Sequence, residues 1–156
     1  MPDFLVTANL AVRRAVFSRI GMFDTRFPGA GGEDVDFSWR LLRDPNFELR
    51  FAPRAVVFHR HRTTVWGLFT QRLSYGYGRA LLHRKYPDHE GWGWRQERAG
   101  YRALVRTAWR AVGSLLPGIR GRYPAESRSA LTLSLVAGLG HRIGFAGGAL
   151  RRGGRQ

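Results

Sequence analysis

The sequence predicts a mixed α/β half-domain followed by a basic helical region. Three observations predict it. Short β-type segments alternate with helix-type patterns as far as His61, a glycine-rich loop carrying three acids lies between them, and beyond His61 only helix-type patterns studded with arginine remain.

Residues 4–12 alternate enough to form a strand, which leads into a short helix at 13–20. Gly21 follows as the residue that closes that helix. Residues 22–27 form a turn region and Phe27-Pro28-Gly29-Ala30-Gly31-Gly32 a loop. A helix over about 34–43 follows from Val35, Trp39 and Leu42, which recur at i, i+4 and i+7 as one apolar face. It stops before Asp44-Pro45-Asn46, where proline prevents continuation. Residues 48–51 and 55–59 read as strands separated by Pro53.

The character changes after His61. Residues 64–86 show an amphipathic helix pattern with Trp66, Phe69, Leu73, Tyr77 and Leu81, and basic residues at Arg72, Arg79, Arg84 and Lys85. A linker is expected near 88–95, a second arginine-studded helix at 96–116 and a break at 117–124. Residues 125–150 are small and apolar, with His141-Arg142 in their middle: too rich in glycine for a firm soluble helix and too charged for a firm membrane span. An interfacial or weakly membrane-associated helix is expected there, and residues 153–156 are expected to fray.

Composition narrows the function classes. The 156 residues are 44% hydrophobic, enough for one moderate core. All 26 basic residues except Lys85 are arginine, and against 11 acids they leave a formal charge of +15. Such a surplus suits an anionic partner: a nucleotide or lipid diphosphate, membrane head groups, or nucleic acid. Arginine in place of lysine also fits coding bias in a GC-rich genome. The chain has no cysteine, which excludes disulfides and thiolate metal sites and permits a cytosolic setting. Met1-Pro2-Asp3-Phe4-Leu5-Val6 lacks the pattern of a signal peptide.

The chemistry concentrates in Gly29-Ala30-Gly31-Gly32-Glu33-Asp34-Val35-Asp36, where a flexible loop delivers adjacent carboxylates to the mouth of a helix. Carboxylates there can do acid–base work. They can equally complement the positive end of the helix dipole, with Asp36 and Arg40 as a solvated i, i+4 pair.

Its surroundings favour the first reading. Thr7-Ala8-Asn9 precedes a helix ending in Gly21-Met22-Phe23-Asp24. The Glu33-Asp34 loop, a Trp39-Arg40 helix and a segment ending in Val57-Phe58-His59-Arg60-His61 then follow in that order. Over about residues 6–61, and more weakly to about 87, this resembles the acceptor-side, C-terminal part of the catalytic domain of family 2 glycosyltransferases. These are inverting enzymes of the GT-A (nucleotide-diphospho-sugar transferase-like) fold. The resemblance implies three parts: a partial GT-A domain at 1–62, an amphipathic helix at 63–87, and a basic helical tail at 88–156 that is membrane-associated or partly disordered.

The resemblance also implies site roles. Asp34 is the catalytic base, and Glu33, Gly32 and Asn9 bind acceptor or hold its loop. His59 supplements the oxygen ligands of a Mn²⁺ or Mg²⁺ ion, and Arg60 and His61 touch phosphate. Asp34-Val35-Asp36 spells the Asp-x-Asp metal pattern of such enzymes, but it follows a glycine-rich loop and opens a helix, whereas that pattern ends a strand. No other Asp-x-Asp precedes it, so the nucleotide-binding half is expected to be missing and the chain alone to be inactive.

The expected partners are a nucleotide-sugar donor, a glycan or lipid-linked acceptor and an anionic membrane surface, at the cytoplasmic face of a membrane. Two other readings stand beside this one. One is a basic binding module for an anionic membrane or nucleic acid; the nucleic-acid form is disfavoured by the lack of a helix-turn-helix, RNA-binding sheet or zinc pattern. The other is a non-catalytic remnant that docks to a partner enzyme.

Overall fold

The computed structural model describes residues 4–27, 29, 31–89, 94–115 and 125–150. Among the described residues a 3₁₀ turn at Thr7–Asn9 is followed by the helices α1 (Arg14–Ile20), α2 (Glu33–Leu42), α3 (Val65–Lys85), α4 (Trp94–Gly113) and α5 (Ala125–Leu150). Of the linker expected near 88–95, residues 90–93 lie outside the described residues, as do the break at 117–124, the fraying end at 153–156, and Pro28 and Ala30 of the loop.

Among the described residues there is no strand, which overturns the expected α/β half of a GT-A domain. The segments at 4–6, 48–52 and 55–60 are free of helix but pair with no neighbour. Alternating side chains give a segment the capacity to be a strand, whereas the strand itself exists only once an adjacent backbone completes the ladder. Among the described residues no backbone completes a ladder with these segments. Phe51 and Phe58 are accordingly 83% and 100% exposed.

Helix α1 is closed by Gly21, at φ 83°, whose N–H donates to the Phe17 carbonyl at 3.0 Å. Helix α2 is the hub of the N-terminal region because it is apolar on two opposite sides. Phe37 and Leu41 pack with Val16 of α1 and with Leu49, and Phe17 and Phe23 flank Phe37 at ring-centroid distances of 5.3 and 4.7 Å. Val35 and Trp39 face the other way, against Phe27 and against Leu82 and Tyr86 at the end of α3. Two residues of helix turn through about 200°, so one short helix serves both clusters. Leu42, expected on the Val35–Trp39 face, is 41% exposed.

Helix α3 begins at Thr64, whose hydroxyl accepts from Gly67 N at 3.0 Å as an N-cap. Its long partner is α5, and glycine sets their approach. Gly140, Gly144 and Gly148 recur every fourth residue along α5, and a Cβ on any of them would run into the Phe69, Leu73 or Tyr77 carbonyl of α3. Gly76 of α3 meets the His141 carbonyl of α5 in the same way. The glycines that argued against a firm helix at 125–150 are thus its packing face: their helical cost is offset by backbone contact that larger residues forbid. Helix α4 lies on α5, with Leu104 against Gly138 and the Glu97–Arg142 ion pair.

Replacing Gly144 by valine is expected to push α5 off α3 and to lower stability by about 1–3 kcal/mol. Gly147→Ala, at a position where an added Cβ meets nothing within 4 Å, is expected to raise it by about 0.5–1 kcal/mol. Chemical denaturation of both variants, followed by circular dichroism, reads the contrast.

Candidate functional site

The start of α2 is built by glycine. Gly32 precedes the helix at φ 98°, a left-handed conformation that costs other residues, and Gly31 lies so close to α3 that a Cβ on Gly78 would meet its carbonyl. The loop is therefore pressed flat on α3, and the next two residues carry carboxylates. Glu33 turns back on the loop, its Oε2 accepting from Gly31 N at 2.6 Å. Asp34, half-buried, accepts from Val35 N at 2.9 Å and from Thr7 N at 3.4 Å. Ser38 fixes the same corner: its hydroxyl donates to the Asp34 carbonyl at 2.6 Å and accepts from Leu5 N at 2.8 Å.

Both carboxylates line a cleft of about 990 Å³. Its walls come from segments far apart in sequence: Val6 to Ala8 beside the 3₁₀ turn, the run from His59 to Thr64, Gln71, Tyr75 and Arg79 of α3, and His141 of α5. One cavity thus joins two acids with a cationic rim of Arg60, Arg62 and Arg79. A half-buried carboxylate held by backbone N–H groups can accept a proton from a hydroxyl, and guanidinium groups nearby suit an anionic moiety such as phosphate.

Asp36, one turn-step from Asp34, goes elsewhere. It is completely buried and accepts from Arg40 Nε at 2.9 Å and the Tyr86 hydroxyl at 2.7 Å, with Lys85 Nζ 2.5 Å away. The alternative reading of a solvated Asp36–Arg40 pair is therefore corrected: the i, i+4 pair exists, but inside the protein. Arg40 also donates to the Ile20 and Met22 carbonyls at 2.6 and 2.8 Å, which ties the end of α1 to α2. Lys85 reaches Asp24 at 2.9 Å. The hydrogen bond from Arg26 to Asp24, aided by Lys85, holds that carboxyl well below the usual carboxylate range, and burial followed by the Asp36 contact pushes the Tyr86 hydroxyl up.

Behind the cleft wall lies a second buried charge. Glu97 of α4 is 2% exposed and pairs with Arg79 of α3 and Arg142 of α5, so the cleft residue Arg79 is anchored from the rear. His83 packs edge-on against Phe145 at 5.6 Å. Burial first, and then Arg79, pushes its imidazole below the ordinary value, against the opposing pull of Glu97. His141 is lowered in the same direction, by burial and then Arg142.

The residues singled out in sequence fall as follows. Gly32, Glu33, Asp34, His59, Arg60 and His61 all line the cleft. The His59 and His61 rings lie 5.5 Å apart, on exposed residues. Asn9 does not line the cleft; its Nδ2 donates to the Ala55 carbonyl at 2.7 Å and ties the 3₁₀ turn to the turn after Pro53. Among the described residues no group of three or more His, Asp or Glu side chains is placed to hold a metal ion. His59 and His61 offer imidazole nitrogens alone, so a Mn²⁺ or Mg²⁺ ion beside them would draw its oxygen ligands from a bound diphosphate and water. Arg79 and His141 escaped the site reading because helices far along the chain deliver them. The only local hint was the glycine of Gly78, which allows α3 to approach the loop.

Residues 1–141 match the model of glycosyl transferase family group 2. The chain belongs to that family. It is also similar to the pre-mycofactocin glycosyltransferase of Mycobacterium tuberculosis, in two strains, at 33% identity over 86 residues. The match covers 55% of this chain and 18% of the relative, so it spans about a fifth of the length of the curated proteins it resembles. No solved structure matches the chain.

Two outcomes follow from the buried charges. Asp36→Ala removes the shared buried partner of Arg40, Lys85 and Tyr86 at once and is expected to cost about 3 kcal/mol, whereas Tyr86→Phe, which removes one hydrogen bond, is expected to cost about 1 kcal/mol. Urea unfolding of the pair measures the order. Because His83 and His141 have lowered values in the folded state, the unfolded chain binds protons more readily. Their contribution to stability is present above the ordinary value of 6.5 and is lost as pH falls from there towards the folded values. Unfolding midpoints between about pH 8 and 5 are expected to fall on acidification, and less steeply in His83→Gln.

Proposed function

We propose that the cleft is the acceptor side of a glycosyl transfer site in which Asp34 is the general base. The single observation that carries this is that Asp34 shares one cavity with the cationic run from His59 to Arg62. Family membership supports the reaction class.

In the proposed reaction an acceptor hydroxyl, on a glycan or a lipid-linked sugar, gives its proton to Asp34 as its oxygen bonds to the anomeric carbon of a nucleotide-sugar donor. The bond from that carbon to the phosphate oxygen breaks on the opposite face, so the configuration inverts and the nucleoside diphosphate leaves with the electron pair. Arg60 and His61 attract the diphosphate and Arg79 extends the same cationic wall. Glu33 holds the loop that presents Asp34. Pre-mycofactocin, named for the relatives above, is one acceptor to try alongside glycans.

The test supplies a separate nucleotide-binding half and measures transfer from a labelled nucleotide sugar with the parent chain and with Asp34→Asn. A fall of about 10²-fold or more in kcat, with little change in donor KM and an unchanged circular dichroism spectrum, is expected. Full retained transfer removes Asp34 as the base.

A further inference from the structure

Helix α4 carries a surface that the cleft does not use. Tyr101, Val105, Trp109 and Val112 follow one another at i, i+4, i+8 and i+11, and are 41%, 56%, 73% and 54% exposed. These positions share one side of the helix. Arg98, Arg102, Arg106 and Arg110 form a second row, set about 100° round from the first. All four are exposed and none has a carboxylate partner among the described residues. The one acid of α4, Glu97, is turned inward on Arg79 and Arg142, and Leu104 faces Gly138 of α5. The helix thus has three sides: one against the bundle, one apolar and aromatic in solvent, and one purely cationic.

We propose that this face of α4 lies in the plane of an anionic membrane surface, with Trp109 and its apolar neighbours at the head-group boundary and the arginine row on lipid phosphates. Charge complementarity selects the partner. An exposed apolar stripe alone would suit many surfaces, but a flanking row of four arginines with no acid among them matches a uniformly anionic sheet. Tryptophan at its centre suits the same boundary, since its ring is apolar and its N–H polar. The membrane contact thereby sits on α4, whereas the sequence pointed to residues 125–150. The stretch Glu126–Leu150 is long and apolar enough to cross a membrane by length and composition. Its glycine face, however, is taken up by α3, and α4 packs on it as well. The proposal does not depend on the transfer chemistry of Asp34.

Co-sedimentation of the full chain with vesicles of phosphatidylcholine and phosphatidylglycerol, and with phosphatidylcholine alone, tests it. Binding is expected to the anionic vesicles only, and to be released as salt rises from about 50 to about 500 mM. At about fivefold per arginine, Arg102→Gln with Arg106→Gln is expected to weaken it roughly 20- to 30-fold. Val105→Ser with Trp109→Ser is expected to weaken it at low salt as well. Both pairs alter exposed side chains, and circular dichroism checks that they fold. Four outcomes overturn the proposal. They are no vesicle binding, equal binding to both vesicle types, attachment that resists high salt and alkaline carbonate as a spanning α5 would, and variants that bind like the parent chain. Arginine-dependent retention of a mixed-sequence DNA duplex without vesicle binding also overturns it and makes nucleic acid the partner.

Discussion

A single carboxylate with no exposed surface organises the N-terminal region. Asp36 would be costly to bury alone, because desolvation of its charge has to be met by partners, and the structure brings three: Arg40 from its own helix, and Lys85 and Tyr86 from the end of α3. Each partner carries the constraint further. Arg40 holds the end of α1 through the Ile20 and Met22 carbonyls, and Lys85 holds Asp24. The position of α2, and hence of Asp34 at its start, follows from satisfying one buried charge. Trp39 and Tyr86, ring centroids 5.0 Å apart, pack beside it.

The cleft depends on a second constraint, the close approach of backbones at glycine. Gly31 against Gly78 seats the acidic loop on α3, and the glycine stripe of α5 seats that helix on the next part of α3. Helix α3 is therefore the common wall, presenting Gln71, Tyr75 and Arg79 to the cavity while its other side receives α5. Glu97 links the two arrangements by pairing with Arg79 from the rear, so the electrostatics of the cleft are coupled to the packing of α4 and α5. Membership of glycosyl transferase family group 2 is consistent with a cavity that pairs acids with cations.

Much of the site was legible because it lies in two short runs. Glu33 and Asp34 follow a glycine-rich loop and His59 to His61 close an extended segment, and both runs reach the cleft. Asn9 holds the Ala55 carbonyl and stands outside the cleft lining, because a side-chain amide serves a turn as readily as a site. The α/β fold class was read from alternation, and alternation describes one backbone while a strand requires two. The helix at 125–150 was underrated for a related reason. Glycine lowers helix propensity in isolation, whereas against a partner helix it permits contact that no other residue allows.

By itself the sequence determined the local grammar: where helices begin and end, that acids cluster after a flexible loop, that the chain is strongly cationic, and which family it resembles. Only the tertiary structure decided the fates of residues that look alike in sequence. Asp34 opens onto the cleft and Asp36, two residues on, is buried, because side chains two apart on a helix point to nearly opposite sides and only that of Asp36 meets Lys85 and Tyr86 at the end of α3. The same holds for the arginines. Arg79 and Arg142 are drawn in by Glu97, while the four along α4 remain in solvent, since charge pairing depends on which helices meet and no local pattern encodes that meeting.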